Sequence, residues 1–273
     1  MAEPAIEPLF IDAPGRQLFA LIRRPAGRSR GAVLHVPAFA EEMNKSRRMV
    51  RMASTALVEL GYTVMLLDLH GCGDSSGRFE DARWQTWVDD VLEAARHLRR
   101  VDTGPLWLWG LRSGCLLSTQ AAAQLDEPCN QLFWQPALSG RQVLQQFLRL
   151  RLAASIDGKA PKESLEQLRT LLASGHCVDV AGYALPPAVS SGLEASALTA
   201  PPRPARVHWI EVSSRPEGGL LPASRPIVGQ WEQAGHQVAT SVVAGPAFWQ
   251  TVWLEDAPEL LTATVSALRG EPA

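Results

Sequence analysis

The chain is poor in the features that mark specialised protein classes. It has only four cysteines in 273 residues. Cys72, Cys115, Cys129 and Cys177 lie too far apart to form C-x-x-C ligand pairs, and a chain of this length needs no disulfide staples, so they read as reduced thiols. Lysine occurs only at Lys45, Lys159 and Lys162, arginine supplies the rest of the basic charge, and the formal net charge is −2. That balance excludes a basic nucleic-acid binder. A membrane-spanning run is missing as well: the longest charge-free stretch, residues 237–254, is broken by Thr240, Ser241, Gly245, Pro246 and Gln250. Residues 1–14 hold acids and prolines where a signal peptide needs a basic start and an apolar run, so a cytoplasmic location is expected. With 46% hydrophobic and 20% charged residues, disorder and collagen are excluded and one large core is within reach.

What is present is an alternation of strand and helix signals. Short apolar runs at residues 9–11 and 18–22, separated by Pro14-Gly15, predict an antiparallel hairpin at a sheet edge. Near-continuous apolar runs at 32–36, 62–67, 106–109 and 131–134 suit parallel strands covered on both faces. Between them the pattern predicts a helix capped by Ser46, with Met49, Val50, Ala53, Leu57 and Leu60 facing inward and Gly61 as its stop. The stripe Trp84, Trp87, Val88, Val91, Ala95 and Leu98 predicts a second helix whose aromatic residues are core. From residue 135 the rhythm stops. A helical run through Phe147 and Leu148, then Leu165 to Leu172 ending at Gly175, leads into a proline-rich loop over 185–204. This predicts a helical cap inserted at residues 135–205. Strand, helix and strand signals resume at 207–212, 226–235 and 238–243, with a closing helix at 258–268, so residues 1–134 and 206–273 form the α/β core.

The informative segment is Leu106-Trp107-Leu108-Trp109-Gly110-Leu111-Arg112-Ser113-Gly114-Cys115, an apolar strand turning sharply into a helix. Glycines two before and two after a central residue suit a strand-to-helix elbow, where the central φ is positive and the elements approach closely. Gly110 and Gly114 centre it on Arg112. With the strand-end segment Asp68-Leu69-His70-Gly71-Cys72-Gly73-Asp74-Ser75-Ser76-Gly77 and the order of elements, the elbow makes the chain resemble the α/β-hydrolase superfamily. More narrowly, it is similar to the exosortase A system-associated hydrolase 2 family. The residues that carry this likeness are Pro37-Ala38-Phe39-Ala40-Glu41-Glu42-Met43-Asn44-Lys45-Ser46-Arg47-Arg48, Gly110-Leu111-Arg112, Trp134-Gln135-Pro136, Phe147-Leu148-Arg149-Leu150, Ala181-Gly182-Tyr183 and Phe248-Trp249. The resemblance implies a mostly parallel eight-stranded sheet flanked by helices, in an accessory protein of bacterial PEP-CTERM sorting and exopolysaccharide systems.

The superfamily pattern asks for a nucleophile at position 112, and a protonated arginine cannot serve. Centring the elbow on Ser113 instead would put Leu111 and Cys115 where small residues belong, which leaves Ser113 as a displaced nucleophile, as an oxyanion-hole backbone donor or as a helix cap. The acid expected after the strand at 207–212 could be supplied only by Glu217. No histidine stands in residues 244–249, where Phe248 and Trp249 either stack on a ligand or plug the site. His176 in the cap is the remaining candidate base, and His35, before the oxyanion loop, a candidate ligand contact. Arg112 at a helix N-terminus can clamp an anion, unless Glu41 or Glu42 on the facing loop neutralises it. Phe39 on that loop completes the expected ligand-binding set. No metal and no cofactor are expected, because His70-x-Cys72 and His176-Cys177-x-Asp179 lack a second ligand pair. The expected partners are a small anionic, acyl or glycan-type ligand or another protein of the sorting system. The expected function is that of a hydrolase-like accessory protein with a degenerate triad, a scaffold that binds an anionic ligand or a partner; the alternative is serine-type hydrolysis of an ester or acyl bond through Ser113.

Overall fold

The computed structural model describes residues 5–155 and 163–270, which leaves Lys159 and Lys162 outside the described residues. Pro14-Gly15, with Gly15 at φ 75°, folds β1 (Ala5–Ala13) back on β2 (Arg16–Arg24) in an antiparallel pair. The chain then alternates through β3 (Ala32–Val36), α1 (Glu41–Glu59), β4 (Thr63–Leu67), α2 (Trp84–Val101), β5 (Leu106–Leu111), α3 (Gly114–Ala122) and β6 (Asn130–Trp134). There follow α4 (Gly140–Ser155), α5 (Leu165–Ala173), a small hairpin of β7 (Val178–Val180) and β8 (Tyr183–Leu185), and α6 (Pro187–Ala195). β9 (Arg206–Ser213), α7 (Ser224–Gln233), β10 (Gln237–Ala244) and α8 (Pro258–Arg269) complete the order.

Eight strands form one sheet in the order β1-β2-β4-β3-β5-β6-β9-β10, parallel from β4 to β10. Within this sheet the β1–β2 and β2–β4 pairs are antiparallel. This is the α/β-hydrolase fold that the resemblance implied, with the parallel strands that the apolar runs predicted. Alternation along each strand divides the core into two. Val33, Trp107 and Trp109 pack beneath α1 and α8, whereas Leu34, Leu106 and Leu108 pack on the opposite side with α2 and α3. Trp107, Trp109, Trp134 and Trp209 are among the largest fully buried side chains. The indole N–H of Trp134 donates to Thr264 Oγ1 over 2.9 Å and that of Trp209 to Glu211 Oε1 over 3.0 Å.

Several boundaries differ from the sequence reading, each for a local reason. α1 starts at Glu41, not after Ser46, because the chain turns at Ala40 (φ 51°) and puts two glutamates in the positive first turn. The hydroxyl of Ser46, inside the helix, donates back to the carbonyls of Glu42 (2.7 Å) and Met43 (3.0 Å). Glu41 and Glu42 therefore sit on a helix rather than a loop. The proline-rich stretch 185–204, expected as a loop, contains α6, opened by Pro187 at its first turn. The β7–β8 hairpin, absent from the sequence reading, turns at Ala181-Gly182 with φ of 50° and 86°.

Candidate functional site

β5 runs into α3 through the elbow at the carboxyl edge of the sheet. Arg112 holds φ 54°, an uncommon conformation for a residue with a Cβ. Both flanking glycines are required by close approach. A Cβ on Gly110 would stand 2.7 Å from Cys115 Cα, and one on Gly114 only 2.2 Å from the Val36 carbonyl oxygen. The backbone of a nucleophile elbow is thus intact, and the side chain it presents is a guanidinium.

That guanidinium is held on three sides. Arg112 Nε lies 3.3 Å from Glu42 Oε1, Nη2 donates to Gln146 Oε1 over 3.1 Å, and Cζ sits 5.7 Å from the Trp249 ring centroid. Gln250 Nε2 donates to the same Glu42 oxygen over 3.3 Å. The Arg112 and Glu42 side chains are only 12% and 10% exposed, so their attraction is weakly screened. The pair uses one carboxylate oxygen, and Glu42 Oε2 is buried without a hydrogen-bond partner. Gln146 and Gln250, which fix this geometry, carry no signal in the sequence. They reach the Arg112–Glu42 pair from α4 and from the loop after β10.

Beside the pair opens a cavity of about 320 Å³. Phe39, Glu41, Glu42 and Lys45 form one wall, Val143, Gln146, Phe147, Arg149 and Leu150 of α4 another, and Gln250 contributes from the last loop. Phe39 and Phe147 meet edge to face at 4.8 Å. Burial pushes the Glu41 carboxyl up, with the Glu42 charge adding to the rise, and Glu41 Oε2 has no hydrogen-bond partner.

Ser113 does not face this cavity. It occupies the cap position of α3 in helical conformation, makes no side-chain capping bond and is 1% exposed. The space it lines measures about 10 Å³ and is walled by Phe39, Met43, Trp84, Trp87 and Leu117, room for one water at most. Among the described residues no imidazole is hydrogen-bonded to it. His176 is exposed between α5 and β7, with Nδ1 3.0 Å from Ser174 Oγ. His35 is buried against Trp109, ring centroids 4.6 Å apart, and burial together with the Arg47 charge lowers its pKa to about 3. It is neutral and sits beneath α1. His236 Nδ1 accepts the Ala205 N–H over 3.3 Å, and His208, lowered to about 4 by burial, stacks on Trp107.

Among the described residues, the loops after β9 and β10 bring no side chain into hydrogen-bond contact with Ser113. Glu217 is exposed on a single helical turn after β9. A buried acid, Glu211, lies inside β9, where a search of the following loop misses it. Its two oxygens accept the Trp209 indole N–H and the Leu221 backbone N–H (2.7 Å), so both are used in holding structure. Phe248 and Trp249 occupy the histidine loop and are 2% and 4% exposed, Phe248 packing edge-on to Trp134 at 6.2 Å. All four cysteines are free thiols, and burial raises Cys72 and Cys129 to about 12. Among the described residues no three His, Cys, Asp or Glu side chains are grouped to hold a metal, and no helix is long and apolar enough to cross a membrane.

A family model described as the alpha/beta hydrolase fold matches residues 31–168. No curated protein matches the chain. Among solved structures, Est1E from Butyrivibrio proteoclasticus, with ferulic acid bound, aligns with TM-score 0.69 and 16% identity, covering 96% of this chain and 98% of that one. An alpha-beta serine hydrolase homologue from Coxiella burnetii aligns with TM-score 0.58 and 18% identity over 96% and 97% of the two chains. An a/b serine hydrolase without lid from Xanthomonas campestris aligns with TM-score 0.58 and 19% identity over 98% and 96%. At these identities the likeness is one of fold.

Proposed function

Because the chain belongs to the alpha/beta hydrolase fold family and yet carries a paired arginine where its serine hydrolase neighbours would need a nucleophile, we propose that it is a non-hydrolytic, ligand-binding member of that family. One observation carries the reading. Arg112 sits on the elbow at φ 54° with its guanidinium engaged by Glu42, Gln146 and Trp249. A cation so placed supplies no electron pair for attack, and the space beside Ser113 is too small to admit an acyl group. The degenerate triad follows: Ser113, Glu217 and His176 do not form a relay.

The ligand belongs in the 320 Å³ cavity. Glu42 offsets the charge of Arg112, and Glu41 balances part of the charge that Lys45 and Arg149 bring to the lining, so an acyl or glycan-type ligand suits the site better than a bare anion. Phe39, Val143, Phe147 and Leu150 offer apolar contact, and Glu41, Gln146 and Gln250 offer hydrogen bonds. The segment 135–205 acts as the cap that supplies the α4 wall. The resemblance to the exosortase A system-associated hydrolase 2 family supports a cytoplasmic accessory role in PEP-CTERM sorting or exopolysaccharide assembly.

Intact-mass detection of a fluorophosphonate adduct tests the non-hydrolytic half. Wild type should take up no adduct, and an adduct lost in Ser113→Ala would restore the alternative, a serine hydrolase using Ser113. For the binding half, octyl glucoside below its micelle threshold is titrated by calorimetry. Wild type should bind it saturably, and Leu150→Arg at the cavity mouth should weaken binding by about tenfold, roughly 1.4 kcal/mol. Equal binding by both proteins would place the ligand elsewhere.

A further inference from the structure

The loop between β10 and α8 exposes three consecutive apolar side chains. Val252, Trp253 and Leu254 are 89%, 81% and 74% exposed, the most exposed large hydrophobic side chains among the described residues. The loop that carries them is anchored at both ends. Thr251 Oγ1 lies 2.8 Å from the Trp253 carbonyl oxygen and 3.3 Å from that of Phe248, which shapes the tip. Arg48 holds Asp256 through hydrogen bonds of 2.7 and 2.8 Å, and Lys45 Nζ donates to the Gln250 carbonyl over 3.4 Å. Apolar groups grouped at the surface in this way mark a place that meets a partner or a membrane. Basic groups border the tip. Lys45 and Arg48 reach the loop from α1, Arg51 is exposed a turn further along that helix, and Arg149 of α4 shares the cavity lining with Lys45 and Gln250. Asp256 offsets Arg48, Glu41 attracts Lys45, and Glu255 is an exposed acid beside the tip. Arg51 and Arg149 form no salt bridge among the described residues, which leaves positive charge in excess.

We propose that Val252, Trp253 and Leu254 form an interfacial anchor that seats this protein on an anionic lipid surface. Tryptophan settles at the boundary of headgroups and acyl chains, where its N–H stays hydrated while its rings leave water, and aliphatic neighbours enter the acyl layer beside it. Lysine and arginine around such a tip are drawn to anionic headgroups. A lipid surface suits this tip better than another protein does. A stable protein interface buries roughly 800 Å² and about 20–30 residues on each side. Three side chains on a short loop fall far below that, whereas a bilayer asks for no complementary shape. Lys45, Arg149 and Gln250 also line the cavity under α4, whose Leu150 is 39% exposed, so docking by this tip brings the cavity to the lipid.

The full chain is sedimented with sucrose-loaded vesicles of phosphatidylcholine, with or without one-third phosphatidylglycerol. No ligand is added, so the outcome is separate from octyl glucoside binding in the cavity. Wild type should sediment with the mixed vesicles and about tenfold less with phosphatidylcholine alone. Trp253→Ala, and Val252→Ser combined with Leu254→Ser, should each weaken binding to the mixed vesicles by about tenfold. Circular dichroism should be unaltered in both variants, because all three side chains are exposed. Mixed vesicles should also shift the tryptophan emission of wild type to the blue, and not that of Trp253→Ala. The proposal is overturned if wild type stays in the supernatant, if phosphatidylglycerol makes no difference, or if both variants sediment like wild type. A dimer in light scattering that Trp253→Ala dissociates, without vesicle binding, would assign the tip to a second copy and overturn it equally.

Discussion

The elbow arginine and the buried His35 show how single side chains set the chemistry of this molecule. Arg112 and Glu42 lie out of most solvent, and removing one leaves the other's charge poorly paired. Glu42→Ala should therefore cost about 1–3 kcal/mol in urea unfolding. Glu42→Gln, which keeps an acceptor for Arg112, should cost less; an Ala variant as stable as wild type would mean that Gln146 and Trp249 alone hold the guanidinium. Arg112→Ser restores a hydroxyl at the elbow but no base, so hydrolysis of p-nitrophenyl acetate should stay at the buffer rate. Turnover by that variant would reveal a histidine acting from an unexpected place. For His35, the folded pKa of about 3 lies below the ordinary 6.5. Below pH 6.5 the unfolded chain takes up a proton that the folded one refuses, so this contribution to stability is full above that pH and is lost as pH falls towards 3. Wild type should lose about 2–3 kcal/mol more than His35→Leu between roughly pH 7.5 and 4.5, measured by urea denaturation at each pH.

At the scale of elements, the turn from β5 into α3 is packed closely against the end of β3. Gly114 abuts the backbone of Val36 and Pro37, with no side chain to move aside. Gly114→Ala should lower stability by more than about 2 kcal/mol, because backbone of two elements must separate, and thermal melting measures it. The sequence disclosed this contact through the spacing of Gly110 and Gly114 about Arg112. It did not disclose the start of α1 at Glu41, because Ala40 is no ordinary cap and Ser46 resembles one. It also hid α6, since a helix opened by Pro187 within a proline-rich stretch reads locally as a turn.

Across the whole molecule, the proposed cap, residues 135–205, is joined to the core by more than its chain connections. Trp84 Nε1 in α2 donates to Gln120 Oε1 in α3 over 2.8 Å, and Gln120 Nε2 donates in turn to Ser196 Oγ, just past α6, over 2.9 Å. Gly192 of α6 lies so close to Trp84 that a Cβ there would be 2.3 Å from that residue's Cβ. Cap and core should consequently unfold together. Tryptophan fluorescence and far-ultraviolet circular dichroism should trace coincident denaturant transitions, whereas an earlier loss of helix signal would show the cap melting independently.

The amino-acid sequence alone determined the sheet, its hairpin edge, the flanking helices and the elbow, because strand alternation, helical spacing and paired glycines are local consequences of backbone geometry. It also determined that position 112 holds a cation and that residues 244–249 hold no histidine. Only tertiary structure decided what surrounds that cation. Glu42, Gln146, Trp249 and Gln250 converge on Arg112 from three separate regions of the chain, and such convergence leaves no periodicity to read. The burial of Ser113 and the cavity under α4 are likewise products of packing, since whether a hydroxyl meets a pocket or a wall depends on the side chains that fold across it.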